Sequence, residues 1–291
     1  MTLDQALRHA QVLGLDRLDA QLLVLHVLGR AAHDRAWLLT HDTDSMPTPA
    51  LATLEQTVQR RLSGEPLAYI TGHKEFFGLD LHVDARVLVP RPDTETLVEW
   101  ALELLPIAST HPETTDPNPP RVLDLGTGSG AIALALQHTR PDLHILAVDA
   151  SPEALAVAQA NAQRLQLAVQ FSQGSWMDGV QGRFDLIVSN PPYIASADHH
   201  LAALIHEPLQ ALASGADGLD DIRSIICQAD AHLVPGGWLL LEHGYDQAAK
   251  VRALLTAAGL QQVQSRKDLA GIERCSGGQS TQAEVFNKTN Q

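Results

Sequence analysis

Cysteine is almost missing from this chain. Only Cys227 and Cys275 occur in 291 residues, too few for a disulfide framework or a cysteine-based zinc site. Basic residues are also short. Lys and Arg number 20 against 34 Asp and Glu, a net charge of −14. Duplex nucleic acid is gripped mainly through Lys and Arg, so this balance argues against a broad phosphate-binding surface, though not against a local basic patch. No run approaches the ~18 continuous apolar residues of a membrane span. Met1-Thr2-Leu3-Asp4-Gln5 has neither the basic n-region nor the apolar h-region of a secretory leader. Internal repeats are lacking. The 14 histidines show no metal-ligand grouping, and the adjacent His199 and His200 read as part of an exposed loop. The default expectation is a cytoplasmic enzyme. Its length leaves room for two domains and a sizeable core, and a hydrophobic content of 45% is that of ordinary globular proteins.

The stretch that organises the rest is Phe184-Asp185-Leu186-Ile187-Val188-Ser189-Asn190-Pro191-Pro192-Tyr193. Apolar β-formers run directly into a double proline. Neither ring nitrogen can donate to a sheet ladder, and Pro192 holds Pro191 extended. A stiff turn is expected at the carboxyl end of a strand, where open α/β sheets place their ligands. The Asn190 side-chain oxygen and the Pro191 carbonyl are then two acceptors at one rigid point, suited to gripping the two hydrogens of an NH2 group. Taken alone, a tight loop that happens to contain these residues explains the stretch equally well.

Before it, residues 1 to about 72 read as helices, with Leu3, Leu7 and Ala10, then Leu18, Leu22, Leu25 and Leu28, then Leu51, Leu54, Val58 and Leu62 at helical spacing. From Leu67 to Pro90 the texture becomes period two with glycine punctuation, which predicts a β-hairpin. Asp93 is placed to cap a helix running to about Leu105, with Glu95 favourable in its first turn. Capping also accounts for Arg91, Asp93 and Glu95 without any chemical role. Pro106 to Pro120 reads as an exposed connection. From Arg121 onward strands and helices alternate, which predicts a parallel, doubly wound sheet. Strands are expected at 122–125, 143–148, 168–171, 184–188 and 238–242. Helices are expected at 131–138, from Ser151-Pro152 onward, near 221–233 and at 247–258.

Asp124-Leu125-Gly126-Thr127-Gly128-Ser129-Gly130 falls between the first of these strands and the following helix. Its glycines let the backbone approach a ligand closely, and the helix N-terminus favours an anionic group. Asp149 ends the next strand, about 20 residues on, where an acid can bond ribose hydroxyls. On spacing, two cofactors compete. The dinucleotide fingerprint wants glycine at the first, third and sixth places. Here the sixth is Ala131, which is sometimes accepted, so NAD stays open.

The loop also resembles the first motif of S-adenosylmethionine (SAM)-dependent methyltransferases. Asn190-Pro191-Pro192-Tyr193 after the fourth strand resembles the amino-methyltransferase signature, and the pair decides for SAM. The likeness extends to Pro66–Gly72, Val89–Glu95, Glu207-Pro208 with Ala211-Leu212, Asp217-Gly218-Leu219, and Gly236-Gly237 to Gly244. Together these resemble the bacterial release factor glutamine methyltransferases, over the chain to about Arg274. The resemblance implies an α/β fold, a doubly wound and mostly parallel seven-stranded sheet, preceded by a small helical bundle and a β-hairpin. It divides the chain into a helical domain at 1-72 that contacts the release factor, a hairpin linker at 73-90, a methyltransferase domain at 91-274, and an atypical tail at 275-291. It implies SAM contacts from Gly126, Thr127, Gly128, Ser129, Gly130, Asp149, Trp176 and Asn190, with Asp178 a further candidate. Asn190, Pro191, Pro192 and Tyr193 would hold and orient the substrate glutamine, Tyr193 packing on its flat amide. No metal, membrane or direct DNA or RNA contact is implied, and a monomer is expected.

Two departures and three rivals remain. After Arg274 the family's apolar final strand is replaced by Cys275-Ser276-Gly277-Gly278-Gln279-Ser280, which puts the sheet's last edge in doubt and leaves Val285 and Phe286 as a possible short strand. Gly277-Gly278-Gln279 also matches the tripeptide that the family methylates, either by chance or as a substrate mimic. The rival functions are a nucleic-acid adenine N6-methyltransferase using the same turn, and a non-catalytic SAM-binding adaptor. A dehydrogenase comes third.

Overall fold

A computed structural model describes residues 1–106 and 119–281. The connection expected at 106–120 lies largely outside these residues, and so do Val285 and Phe286. The chain divides into two units, Met1–His73 and Lys74–Gln291.

The first unit is helical. Its elements are α1 (Leu3–Val12), α2 (Arg17–Val27), α3 (Arg35–Thr40), α4 (Thr48–Leu62) and α5 (Leu67–Thr71). Thr2 and Gln5 close a capping box on α1, each side chain accepting from the other's backbone N–H. Asp16 caps α2 through the Asp19 N–H at 2.8 Å. Leu3, Ala6, Ala20, Leu23, Val24, Leu38, Leu54 and Val58 share one buried core. Two expectations change. The face of α2 that is buried carries Ala20, Leu23 and Val24, while Leu18 is 47% exposed. Leu67–Thr71 is a helix rather than part of the hairpin; Pro66 precedes it and Gly72 ends it in the left-handed region at φ 78°.

The hairpin is β1 (His73–Phe76) and β2 (Leu79–His82). Phe77 and Gly78 both have positive φ, the conformation a two-residue hairpin turn requires. Next comes α6 (Glu95–Leu104), preceded by a 3-10 turn at Pro92–Thr94. Asp93 does not cap this helix. Its carboxylate instead pairs with Arg274 at 3.3 Å, and Thr94 takes the capping position with no side-chain bond.

The second unit is built on a seven-stranded sheet. In chain order its elements are β3 (Arg121–Leu125), α7 (Ala131–Thr139), β4 (His144–Asp149), α8 (Pro152–Leu165), β5 (Gln170–Gln173), β6 (Phe184–Ser189), α9 (Asp220–His232), β7 (Leu233–Glu242), α10 (Ala248–Ala257), β8 (Gln261–Lys267) and β9 (Glu273–Gln279). The spatial order is β5-β4-β3-β6-β7-β9-β8. The first five of these strands are parallel, and β9 is antiparallel to both its neighbours. Leu123, Leu125, Phe184, Ile187, Leu239 and Leu241 form the sheet's share of a core closed by Ile222, Ile225 and Val251 of the helices. Among the described residues no helix is long and apolar enough to cross a membrane.

The boundary expected at 274 does not separate a tail. Cys275–Gln279 lie inside β9, between β7 and β8, with Gly277 opposite Leu240 and Gly278 opposite Leu239. An apolar run is not needed there because glycine itself is what fits. A Cβ at Gly277 would strike the Leu240 side chain and come within 2.6 Å of the Leu239 carbonyl. The Gln279 amide donates to the Gly236 carbonyl at 2.8 Å. The Gly-Gly-Gln tripeptide is therefore sheet, and the mimic is set aside.

Candidate active site

The chain order reverses on either side of β3, which has β4 on one flank and β6 on the other. Such a switch point opens a crevice at the carboxyl ends of the strands. Register sharpens this. Leu125 pairs with Ser189, so the glycine loop that follows β3 and the Asn-Pro-Pro turn that follows β6 leave the sheet side by side. The Ser189 hydroxyl locks that register by donating to the Leu125 carbonyl at 2.7 Å.

The crevice is a cavity of about 560 Å³, with Gly126, Thr127, Gly128, Ser129, Asp149, Trp176, Asn190 and Pro192 in its wall. The structure thus gathers most of the residues singled out from the sequence. Gly130, Pro191, Tyr193 and Asp178 are not in that wall. Gly130 instead opens α7 at φ 85°, where a Cβ would press on Leu134 at 3.0 Å. The Tyr193 hydroxyl turns to Glu242 Oε1 at 3.4 Å, and burial first, then Glu242, push its pKa up. The Tyr193 hydroxyl is thus engaged with a side chain of the protein itself.

The glycine loop is held from three sides. Gly126 and Thr127 N–H groups both donate to the Val148 carbonyl, at 2.8 and 3.0 Å. The Thr127 hydroxyl donates to Asp124 Oδ2 at 2.7 Å. Buried Asn161 of α8 donates to the Ser129 carbonyl at 3.0 Å and exchanges two hydrogen bonds with the backbone of His82. Asp124 is fully buried, which pushes its pKa up to about 7. Trp176 sits at φ 52°, an uncommon conformation for a large side chain. Gly126 is at φ 69°, a conformation that favours glycine, while a Cβ there would meet the Trp176 ring only at ordinary contact distance, 3.4 Å.

At the turn, Asn190 Nδ2 donates to the Thr94 hydroxyl at 3.2 Å, and Asn190 Oδ1 is buried with no hydrogen-bond partner. Among the described residues no donor is bonded to the Pro191 carbonyl, whereas the Tyr193 carbonyl is taken by Gln247 Nε2 at 3.0 Å. The rest of the wall comes from residues that sequence reasoning gave no chemical role. Arg86, Val87, Leu88, Pro90 and Thr94 line one side, and Pro208, Gln210 and Ala211 another. Buried Glu207 ties these two segments together, accepting from the Val89 N–H at 3.1 Å and pairing with Arg91. The signal for them was the recurrence of Val89–Glu95 and of Glu207-Pro208 with Ala211-Leu212 as motifs; residue chemistry alone assigned Arg91, Asp93 and Glu95 to capping and gave Glu207 and Pro208 no role.

Asp198, His199 and His200 bring three potential ligand atoms within 4.8 Å of one another on an exposed turn. Asp198 already caps that turn through the His200 N–H and bonds the His200 ring, each at 2.8 Å.

Comparison with known proteins places the chain in a family. Residues 3–72 match the family model described as the PrmC N-terminal domain, and residues 112–219 match the Methyltransferase small domain. The chain is 51% identical to the release factor glutamine methyltransferase of Bordetella pertussis, over 91% of this chain and 95% of the relative. It is 47% identical to that of Pseudomonas aeruginosa, covering 90% and 92%. The chain belongs to the release factor glutamine methyltransferase family. In this chain the Gly loop and the Asn-Pro-Pro-Tyr turn are brought side by side by the pairing of β3 with β6. The fold is also that of more distant methyltransferases. A Pyrococcus furiosus methyltransferase superposes with a TM-score of 0.54 at 20% identity, covering 78% of this chain and all of that one. The N-terminal domain of human METTL16, solved with SAH, gives 0.51 at 17% identity, covering 81% and 84%.

Proposed function

We propose that this protein transfers the methyl group of S-adenosylmethionine to the side-chain amide nitrogen of the glutamine in the Gly-Gly-Gln motif of peptide chain release factors. The observation that carries this reading is Asn190 Oδ1, a buried acceptor without a donor in the wall of the cavity that holds the glycine loop. Buried polar atoms are normally paired, and an incoming carboxamide N–H is a donor of the right kind.

The cavity also fits the cofactor. Glycines bring backbone close to it, Trp176 offers an aromatic face for adenine, and the Asp149 carboxylate offers acceptors for ribose hydroxyls. When bound, SAM supplies an electrophilic sulfonium methyl. An amide nitrogen is a poor nucleophile because its lone pair is delocalised, so this chain must supply mostly orientation. Asn190 Oδ1 and the Pro191 carbonyl accept the two N–H bonds of the glutamine amide. They aim its nitrogen at the methyl and favour the positive charge that develops on nitrogen. Pro192 shapes the wall beside it, and Tyr193 braces the turn through Glu242. The proton leaves after transfer.

The helical domain at 1-72 serves to bind the release factor, the protein works as a cytoplasmic monomer, and neither DNA nor RNA is its partner. The acidic balance supports the last point. The test is incubation with labelled SAM and either a purified release factor or duplex DNA, followed by peptide mapping. Label on the Gly-Gly-Gln glutamine is expected. Label on DNA adenine would favour the nucleic-acid reading, and SAM binding without turnover would favour an adaptor.

A further inference from the structure

Three stretches from distant parts of the chain close into a ring at the cavity. The first is the Asn-Pro-Pro-Tyr turn itself. The second leads from Val89 through the 3-10 turn at Pro92–Thr94, and the third from Glu207 through another at Leu209–Ala211. Asn190 and Pro192 of the first, Pro90 and Thr94 of the second, and Pro208 and Ala211 of the third all face the same cavity.

Hydrogen bonds join each stretch to the next. Asn190 Nδ2 donates to the Thr94 hydroxyl at 3.2 Å, and the Thr94 N–H to the Arg91 carbonyl at 3.1 Å. At the other end of the turn, the Ile194 N–H donates to the Leu212 carbonyl and the Ser214 N–H to the Ile194 carbonyl, each at 2.9 Å. The Ala211 N–H donates to the Pro208 carbonyl, also at 2.9 Å, which carries the third stretch back to Glu207. Glu207 closes the circuit. One carboxylate oxygen accepts from the Val89 N–H at 3.1 Å, and the other pairs with the Arg91 guanidinium.

The Glu207 side chain is only 2% exposed, so water is not at hand to replace either partner. A swing of this carboxylate would strand a buried charge and leave the Val89 N–H without its acceptor. Neither outer stretch belongs to the seven-stranded sheet, so the strut across them sets how far apart they stand. Glu207 itself is not in the cavity wall. The ring includes Asn190 but not the glycine loop, Asp149 or Trp176, so loosening it is felt by the substrate rather than by SAM.

We propose that Glu207 is a positioning residue that fixes the aperture through which the substrate glutamine reaches Asn190. This rests on the reaction proposed above. A misplacement of about 1 Å can cost on the order of 10²-fold in an aimed transfer, and a stiff rim keeps the carboxamide in line.

The experiment compares Glu207→Ala, Arg91→Ala and the double variant in release-factor methylation, with SAM affinity by calorimetry and folding by melting curves. Glu207→Ala is expected to lower kcat/KM for the release factor by about 10- to 100-fold, with SAM affinity unchanged. Arg91→Ala removes one end of the strut and is expected to cause a smaller loss of the same kind. Adding it to Glu207→Ala should cost nothing further, because the two act as a unit. A wild-type kcat/KM in Glu207→Ala, a SAM affinity that falls in step with turnover, or losses that multiply in the double variant overturns the proposal. If Glu207→Ala does not fold, Arg91→Ala decides, since that side chain is 38% exposed, and a wild-type kcat/KM there overturns it. A wild-type protein that leaves the release factor unmodified overturns the functional reading and this one with it.

Discussion

The backbone N–H of Gly128 donates to Asp149 Oδ2 at 2.8 Å. The other oxygen of the same carboxylate accepts from the Ser151 N–H at 2.9 Å. One side chain at the end of β4 therefore fastens both the glycine loop and the start of α8. Each oxygen retains lone-pair capacity for a ligand hydroxyl.

Asp149→Ala should weaken SAM binding by about 10- to 100-fold, the scale of one or two hydrogen bonds to a charged group. Isothermal calorimetry checks this. Unchanged affinity would remove Asp149 from the cofactor site.

Asn190→Ala should keep the fold, since the side chain makes a single hydrogen bond, to Thr94. Methyl transfer should fall by about 10²–10³, as when other aimed polar contacts are lost. Turnover with release factor and a melting curve are the paired measurements. A variant that melts like wild type and turns over normally would end the proposed mechanism.

Asp124 predicts a pH effect on stability. Its carboxyl has an ordinary pKa of 3.8, and burial raises it to about 7 in the folded chain. Between these values the folded chain keeps a proton that the unfolded chain has released. Stability therefore falls as pH rises through this window and levels off above it. Glu242, raised to about 7 by burial, acts in the same sense, while His243, lowered by burial, acts in the opposite one. Subtracting a variant isolates the group. Asp124→Asn can still accept the Thr127 hydroxyl but cannot ionise, so its melting temperature relative to wild type should climb between pH 5 and pH 8. A constant difference across that range, taken in steps by thermal unfolding (about 5, 6, 7 and 8), would contradict the assignment.

Gly277→Ala should destabilise the sheet by about 1–3 kcal/mol, the usual cost of overpacking a filled core. The added methyl has Leu240, the Leu239 carbonyl and the Trp100 ring against it. Urea unfolding measures this. Gly271→Ala is a useful contrast, because a Cβ there meets nothing within 4 Å and only its φ of 81° is unfavourable.

Much of the second unit could be read from the chain. The parallel strands β3, β4 and β6 are apolar, buried on both faces and punctuated by glycine or proline, so pattern and structure agree. The Asn190 turn and the 126–130 loop carry their own conformational signatures, which is why their meeting at one crevice was foreseen. What escaped lies where packing overrules local pattern. β8 is Gln-Gln-Val-Gln-Ser-Arg-Lys, an edge strand of mostly exposed polar side chains, and nothing in its composition announces a strand. β9 reads as a loop because two glycines stand where side chains would collide. Thr94 escaped for another reason: its partner Asn190 is distant in the chain, and no local rule joins them.

The place of β9 has a consequence for how the molecule comes to exist. It is synthesised after β8 yet lies inside it, so β7 and β8 never touch along their length. While the ribosome is still short of Gln279, both strands carry open hydrogen-bonding edges, and the nascent sheet ends at β7. The cofactor crevice between β3, β4 and β6 needs none of this and can assemble first. Closure of the far edge is then a late, single insertion, and any chain that ends before it is exposed to strand exchange with its neighbours.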